Sequence, residues 1–298
     1  MSDDDDMTGT DPAPANSAAS RGRWAYLVLP ALGVLTLVFL LPMINLGAKS
    51  FHLSVGAGRE AADYTLRNYV AFFSDSLYWE LLGWTSVLGA LVTLCTLALA
   101  LPLSYFLART RSRWRPAFLL LVVAPMLISV VIRNLGWLPI LGEHGLVNWL
   151  MLSAGAVRDP VHLINNLLGV MIGLVHALLP FMILTLTAVI QRIAPELEEA
   201  SVSLGARPIA TFWRIVLPLA LPGIVAGCLL VFSLSISAYT TPALMGGGRV
   251  IVMATYIQQQ VSTLLDYAKG ATVSMILLVW VSALSIVALR FGKSGAET

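Results

Sequence analysis

The sequence predicts an all-α, polytopic membrane protein with about six transmembrane helices, and three observations carry that prediction. First, 58% of its 298 residues are hydrophobic and only 11% are charged, with a mean hydropathy of +0.83. A soluble domain is about a quarter charged, so a fold this poor in charge could not cover its surface in water. Second, the apolar residues fall in long runs, and a bilayer core ~30 Å thick takes about 20 helical residues to cross. Third, no Asp or Glu interrupts the interior of any run. Backbone groups in lipid must be satisfied within their own segment, so these runs are helices and not strands.

The chain opens with a polar tail, residues 1–20, that holds Asp3, Asp4, Asp5 and Asp6 and then Pro, Ala, Ser and Asn. Such a composition reads as disorder. It lacks the basic start and small-residue cleavage site of a signal peptide, so the first apolar run is expected to stay as an anchor. Residues 21–298 form one membrane domain, with spans near Trp24–Ala48, Leu81–Ala108, Ala117–Ile140, Leu163–Ile190, Leu219–Tyr239 and Ala271–Phe291. Prolines 30, 42, 102, 125, 180 and 222 are tolerable at kinks or ends of such helices. The third span carries Arg133, Asn134, Gly136 and Pro139, and it either breaks near its outer end or simply terminates there.

Orientation follows from lysines and arginines in short loops. With the N-terminus inside, the inner segments hold Arg21, Arg23, Arg109, Arg111, Arg113, Arg115, Arg192, Arg207, Arg214, Arg290 and Lys293. The outer segments hold Lys49, Arg59, Arg67, Arg133, Arg158, Arg249 and Lys269. Four arginines in the seven residues 109–115 weigh most, and an even number of spans places both termini in the cytoplasm. A net charge of +2 points to no nucleic acid. Cys95 and Cys228 lie in apolar runs without metal-ligand spacing, and the four histidines are scattered, so no metal or cofactor is expected.

One inner segment differs from its surroundings: Gln191–Pro218, QRIAPELEEASVSLGARPIATFWRIVLP. Ile193, Leu197, Ala200 and Leu204 fall on one helical face. Glu196, Glu198 and Glu199 lie near the first turns, where the helix dipole favours negative charge. Gly205 breaks the pattern, since a tight turn between helices often needs positive φ. Pro208 suits the first turn of a second short helix, with Ile209, Phe212 and Val216 as its apolar face. An amphipathic hairpin of this kind either lies on lipid or docks a cytoplasmic partner.

The residue types of this segment resemble the EAA loop of binding-protein-dependent ABC importer permeases. Glu199-Ala200-Ser201 is followed after three residues by Gly205, and after nine more by Ile215-Val216-Leu217-Pro218. Ser201 stands where the family pattern has a second alanine. The polyamine-permease branch is resembled by LLPMINLGAKSF at the end of span one, RNLGWLPILGEHGLVN at Arg133–Asn148 and TTPALMGGGRVIVMATYIQQQV at Thr240–Val261. The resemblance implies a permease fold and an inner membrane of bacterial type. It implies that Glu199, Ala200, Ser201, Gly205, Ile215, Leu217 and Pro218 meet a cytoplasmic ATPase dimer. A paralogous permease subunit would supply the other half of the pathway, and an external solute-binding protein would deliver spermidine or putrescine. Another small solute, an amino acid-like compound or an oxyanion, is the alternative cargo.

Other patterns fall away. Gly292-Lys293-Ser294 resembles the end of a phosphate-binding loop, but Val287 stands where its first glycine belongs and no strand precedes it. ATP hydrolysis is therefore expected in a separate subunit, and this chain is expected to be no enzyme. Gly246-Gly247-Gly248-Arg249 reads as an anion nest or an outer loop. Arg133, Asn134, Trp137, His176 and Tyr239 are candidates for lining the pathway, since polar groups at membrane depth mark such routes; packing and interface belts are their ordinary roles. Acidic residues are absent from the span interiors, which argues against an ion-coupled secondary transporter. No catalytic carboxylate pair falls within a span, which ranks a membrane-embedded enzyme last.

Overall fold

The computed structural model describes residues 17–56 and 58–294, with side chains described from residue 30 to residue 290 apart from 57 and 60. The acidic part of the expected tail, up to residue 16, lies outside the described residues. The chain divides at residues 49 and 50 into two units. The described part of the first belongs to helix α1, Ser17–Ser50, 34 residues long with Pro30 and Pro42 inside it. Its Pro30–Ser50 part has a mean hydropathy of 2.1, that of a membrane span.

The second unit begins with a two-stranded ribbon, Ser54–Gly56 against Arg59–Glu60. Helices follow in the order α2 (Arg67–Ser74), α3 (Ser76–Arg109), α4 (Arg115–Val123), α5 (Val130–Leu141), α6 (Leu146–Ser153) and α7 (Leu167–Ile190). Then come α8 (Pro195–Ser203), α9 (Pro208–Thr211), α10 (Leu217–Ser237), α11 (Thr240–Met245), α12 (Met253–Ser262) and α13 (Tyr267–Ser294). Among the described residues, five helices are long and apolar enough to cross a membrane: Pro30–Ser50, Ser76–Arg109, Leu167–Ile190, Pro208–Ser237 and Tyr267–Arg290. A bent pair, Arg115–Leu127 with Val130–Ser153, makes a sixth if it counts as one span.

Helices α3, α7 and α10 pack on one another and form the core, with α13 against α10 and α12. Their close approach depends on small residues, as lipid offers helices no hydrophobic drive to associate. A Cβ on Gly223 of α10 would stand 2.5 Å from Val189 of α7, so only glycine fits that crossing. Two buried hydroxyls of α3 are satisfied along their own helix: Thr93 donates to the Gly89 carbonyl at 2.7 Å and Thr96 to the Val92 carbonyl at 2.7 Å.

The third span breaks earlier than its sequence suggests. Arg133, Asn134, Gly136 and Pro139 all lie within α5, and the 100° bend falls at residues 128 and 129. A 3₁₀ turn, Ala124–Leu127, leads into Ile128, whose φ of −95° and ψ of 135° are extended. Arg133 explains why the bend holds: its Nη1 donates to the Pro125 carbonyl at 2.9 Å and satisfies an acceptor near the break. The residue expected to disrupt the helix instead ties its two arms together.

Candidate functional site

The hairpin between α7 and α10 is built from short-range rules. Helix α8 starts with Pro195 at its first position, where a missing N–H costs nothing. It ends on a Schellman motif: Gly205 N–H donates to the Val202 carbonyl at 2.9 Å and Ala206 N–H to the Ser201 carbonyl at 3.1 Å. Gly205 sits at φ +87°, a conformation L side chains rarely adopt, with open space where a Cβ would be. Pro208 then opens α9.

The second limb differs from the separate short helix that the pattern predicts. Helix α9 passes through a π-turn, Phe212–Val216, directly into α10, so Pro208–Ser237 is a single run of 30 residues. Nothing in residues 212–218 stops the helix. Pro218 follows the π-turn at the start of α10, and its missing N–H falls where the hydrogen-bond ladder has already shifted. The two limbs are joined by side chains, with the hydroxyls of Ser201 and buried Thr211 2.9 Å apart.

The outer crest of the hairpin is apolar and uncovered. Leu204 is 89% exposed, Ile209 68%, Trp213 60% and Leu197 46%. Of the face predicted for the first helix, Ile193 alone is buried, while Leu197, Ala200 and Leu204 are turned outward. Glu199, Ala200, Gly205 and Pro218 are exposed; Ser201, Ile215 and Leu217 are half-buried.

Beneath the crest, Glu198 turns inward. It accepts a hydrogen bond from the Tyr105 hydroxyl at 2.7 Å and another from Arg109 Nε at 2.8 Å. The Tyr105 ring meets Phe212 edge-on, with centroids 5.2 Å apart. Sequence reasoning ranked Glu199 and passed over Glu198. The available signal was weak: Tyr105 and Arg109 stand one turn apart at the inner end of a span, offering two donors on one face.

The five pathway candidates fall in four places. Asn134 is fully buried and donates from Nδ2 to Thr241 Oγ1 at 3.0 Å, which joins α5 to α11. Trp137 Nε1 donates to His176 Nδ1 at 3.2 Å, and both rings are half-buried between α5 and α7. Tyr239 is 50% exposed, on a cavity of about 600 Å³ that Ser237, Gln258 and Ser262 also line. Arg133 spends one guanidinium N–H on the helix break.

Residues 91–291 match the family described as binding-protein-dependent transport system inner membrane component. The chain is 32% identical over 267 residues to the spermidine/putrescine transport system permease protein PotB of Escherichia coli, covering 90% of this chain and 97% of that one. It is 32% identical over 255 residues to the PotB of Haemophilus influenzae, covering 85% and 88%. In fold it is similar to a chain of a bacterial alginate ABC transporter solved with an alginate-bound periplasmic protein. The TM-score is 0.77 at 19% identity, over 96% of this chain and 99% of that one. The chain therefore belongs to the binding-protein-dependent transport system inner membrane components, and it is a multi-pass permease subunit of an ABC importer.

Proposed function

We propose that this permease imports polyamines, spermidine or putrescine, and that the hairpin of α8 and α9 is where a cytoplasmic ATPase dimer drives it. A paralogous permease subunit forms the other half of the pathway, and an external binding protein delivers the solute. Both termini are cytoplasmic. The observation that carries the docking role is the uncovered apolar crest at Leu204, Ile209 and Trp213. Projecting side chains of that size, in a segment that also exposes Glu199, Arg207 and Arg214, suit a protein surface, and exposed apolar patches with polar surroundings mark interaction sites. Cargo is supported by PotB being 32% identical over nearly its whole length.

With ATP hydrolysis placed in a separate subunit, the chain shifts between inward-open and outward-open packings on energy supplied by others. Moving such an equilibrium from 1:99 to 99:1 takes about 5.5 kcal/mol of differential binding. The loaded binding protein and the nucleotide-bound ATPase supply it across the two faces.

Reconstitution in proteoliposomes tests this. With the ATPase, the partner permease and the binding protein present, labelled spermidine uptake is expected to require ATP. Leu204→Asp is expected to abolish ATPase co-purification while the chain stays in the membrane. Equal uptake without the ATPase subunit would return the chain to the secondary-transporter reading. Competition by an oxyanion but not by putrescine would overturn the cargo and leave the docking role standing.

A further inference from the structure

The crest of the hairpin is where force enters, and its underside indicates where force goes. Glu198 is the one hairpin carboxylate whose bonds reach another span. Its Oε2 accepts from Tyr105, and its Oε1 accepts from Arg109 Nε with Nη2 2.5 Å away. The two charged side chains are largely out of solvent, 18% exposed for Arg109 and 15% for Glu198. Both donors sit on the last turns of α3, the helix that packs on α7 and on α10. Tyr105 is held a second time by Phe212, the first residue of the π-turn that feeds α10. Three segments thus meet in one side-chain cluster: α8, the inner end of α3 far upstream in the sequence, and the π-turn at the root of α10, which reaches the carboxylate through Tyr105.

A hydrophobic contact there would slide as the helices tilt. A carboxylate held by a phenol and a guanidinium from one helical face is directional, and charge-assisted bonds of this kind are the strong ones. We infer that Glu198 is a positioning residue for energy coupling: it clamps the ATPase-docking helix α8 to the inner end of α3, so displacement of the hairpin moves α3 together with α10. The inference rests on the import reading above and extends it to the route of transmission. Glu199, next in sequence, points about 100° away around the helix and is free for the partner's surface.

The test uses the whole transporter in proteoliposomes, with labelled spermidine uptake and ATP hydrolysis measured in the same vesicles. The readout is uptake per ATP hydrolysed, which a purely structural role would not move. Glu198→Ala and Arg109→Glu are expected to lower that ratio by about tenfold, within the range of measured coupling energies. The exchange Glu198→Arg with Arg109→Glu is expected to recover at least half of it, and Glu198→Gln to fall between. A wild-type ratio in Glu198→Ala overturns the clamp. So does an exchange variant that restores the amount of protein in the membrane but not the ratio. Should the alanine variant fail to accumulate, Glu198→Gln decides, and a wild-type ratio there overturns the clamp as well. A wild-type assembly that hydrolyses ATP without taking up solute refutes the import reading and the clamp with it.

Discussion

The turn at Gly205 offers the cleanest perturbation of the hairpin, because its two possible explanations predict different series. Gly205 stands at φ +87° and nothing lies within 4 Å of the position a Cβ would take. A side chain there meets no atom of this chain, so within the chain its whole cost is backbone conformation. For an L-residue in left-handed space that cost is roughly 1–2 kcal/mol, or about a 5- to 30-fold loss of the native turn. Asn visits this region with least penalty and β-branched residues are true outliers in it. Gly205→Asn is therefore expected to stay near wild type, Gly205→Ala to lose severalfold in uptake per ATP, and Gly205→Val to lose most. Membrane abundance by immunoblot should hold in all three, since the turn buries nothing. Uptake and hydrolysis in vesicles give the ratio. Wild-type behaviour of Gly205→Ala would refute the turn argument outright. Equal failure of Asn, Ala and Val would show instead that the glycine is required for close approach by the ATPase surface.

Three further outcomes follow from the packing. Gly223→Ala places a methyl 2.5 Å from Val189 and is expected to cost about 1–3 kcal/mol of overpacking; thermal stability in detergent should fall and recover in part in Gly223→Ala with Val189→Ala. Asn134→Leu strands the buried Thr241 hydroxyl that Asn134 meets at 3.0 Å, an expected loss of about 1–3 kcal/mol. A double-mutant cycle with Thr241→Val that came out additive would deny the bond its role. Ser201→Ala removes the bridge to Thr211, but the Thr211 hydroxyl keeps a longer contact to the Arg207 carbonyl at 3.4 Å. The cost should stay within about 0.5–1.5 kcal/mol, with uptake reduced no more than severalfold.

What could be read from the sequence was whatever depends on local chemistry. Among the described residues five spans are long apolar runs, and Gly205 and Pro208 punctuate α8 and α9 by rules that act within a few residues. What could not be read depended on distant partners. Gly136 and Pro139 have the look of breakers, yet both are accommodated in α5, and the bend sits beside Pro125, where the Arg133 guanidinium takes up a carbonyl. Glu196, Glu198 and Glu199 are alike in composition. Only the rotation of α8 over Arg109, 89 residues upstream of Glu198, distinguishes the buried carboxylate from its neighbours. Asn134 looked like a pathway residue because it is polar at membrane depth, and Thr241, 107 residues away, is what makes it a buried joint.

The continuity of α9 with α10 changes the mechanics expected of the hairpin. Two short helices between spans would act as a lever hinged at both ends. A 30-residue run from Pro208 to Ser237 has no break between the hairpin and the span, so under the docking proposal a push on Ile209 or Trp213 passes into a span through residues 212–216. The compliant place in that run is Phe212–Val216, where the hydrogen-bond ladder has slipped to π spacing; such bulges concentrate at functional sites. Phe212, at the start of the slip, is also the residue that braces Tyr105 against Glu198. The π-turn that feeds α10 and the proposed clamp on α3 therefore share one aromatic contact. That arrangement would let α3 and α8 move as a piece with α10 following through the turn at its root, which is how the proposed docking surface would drive both spans.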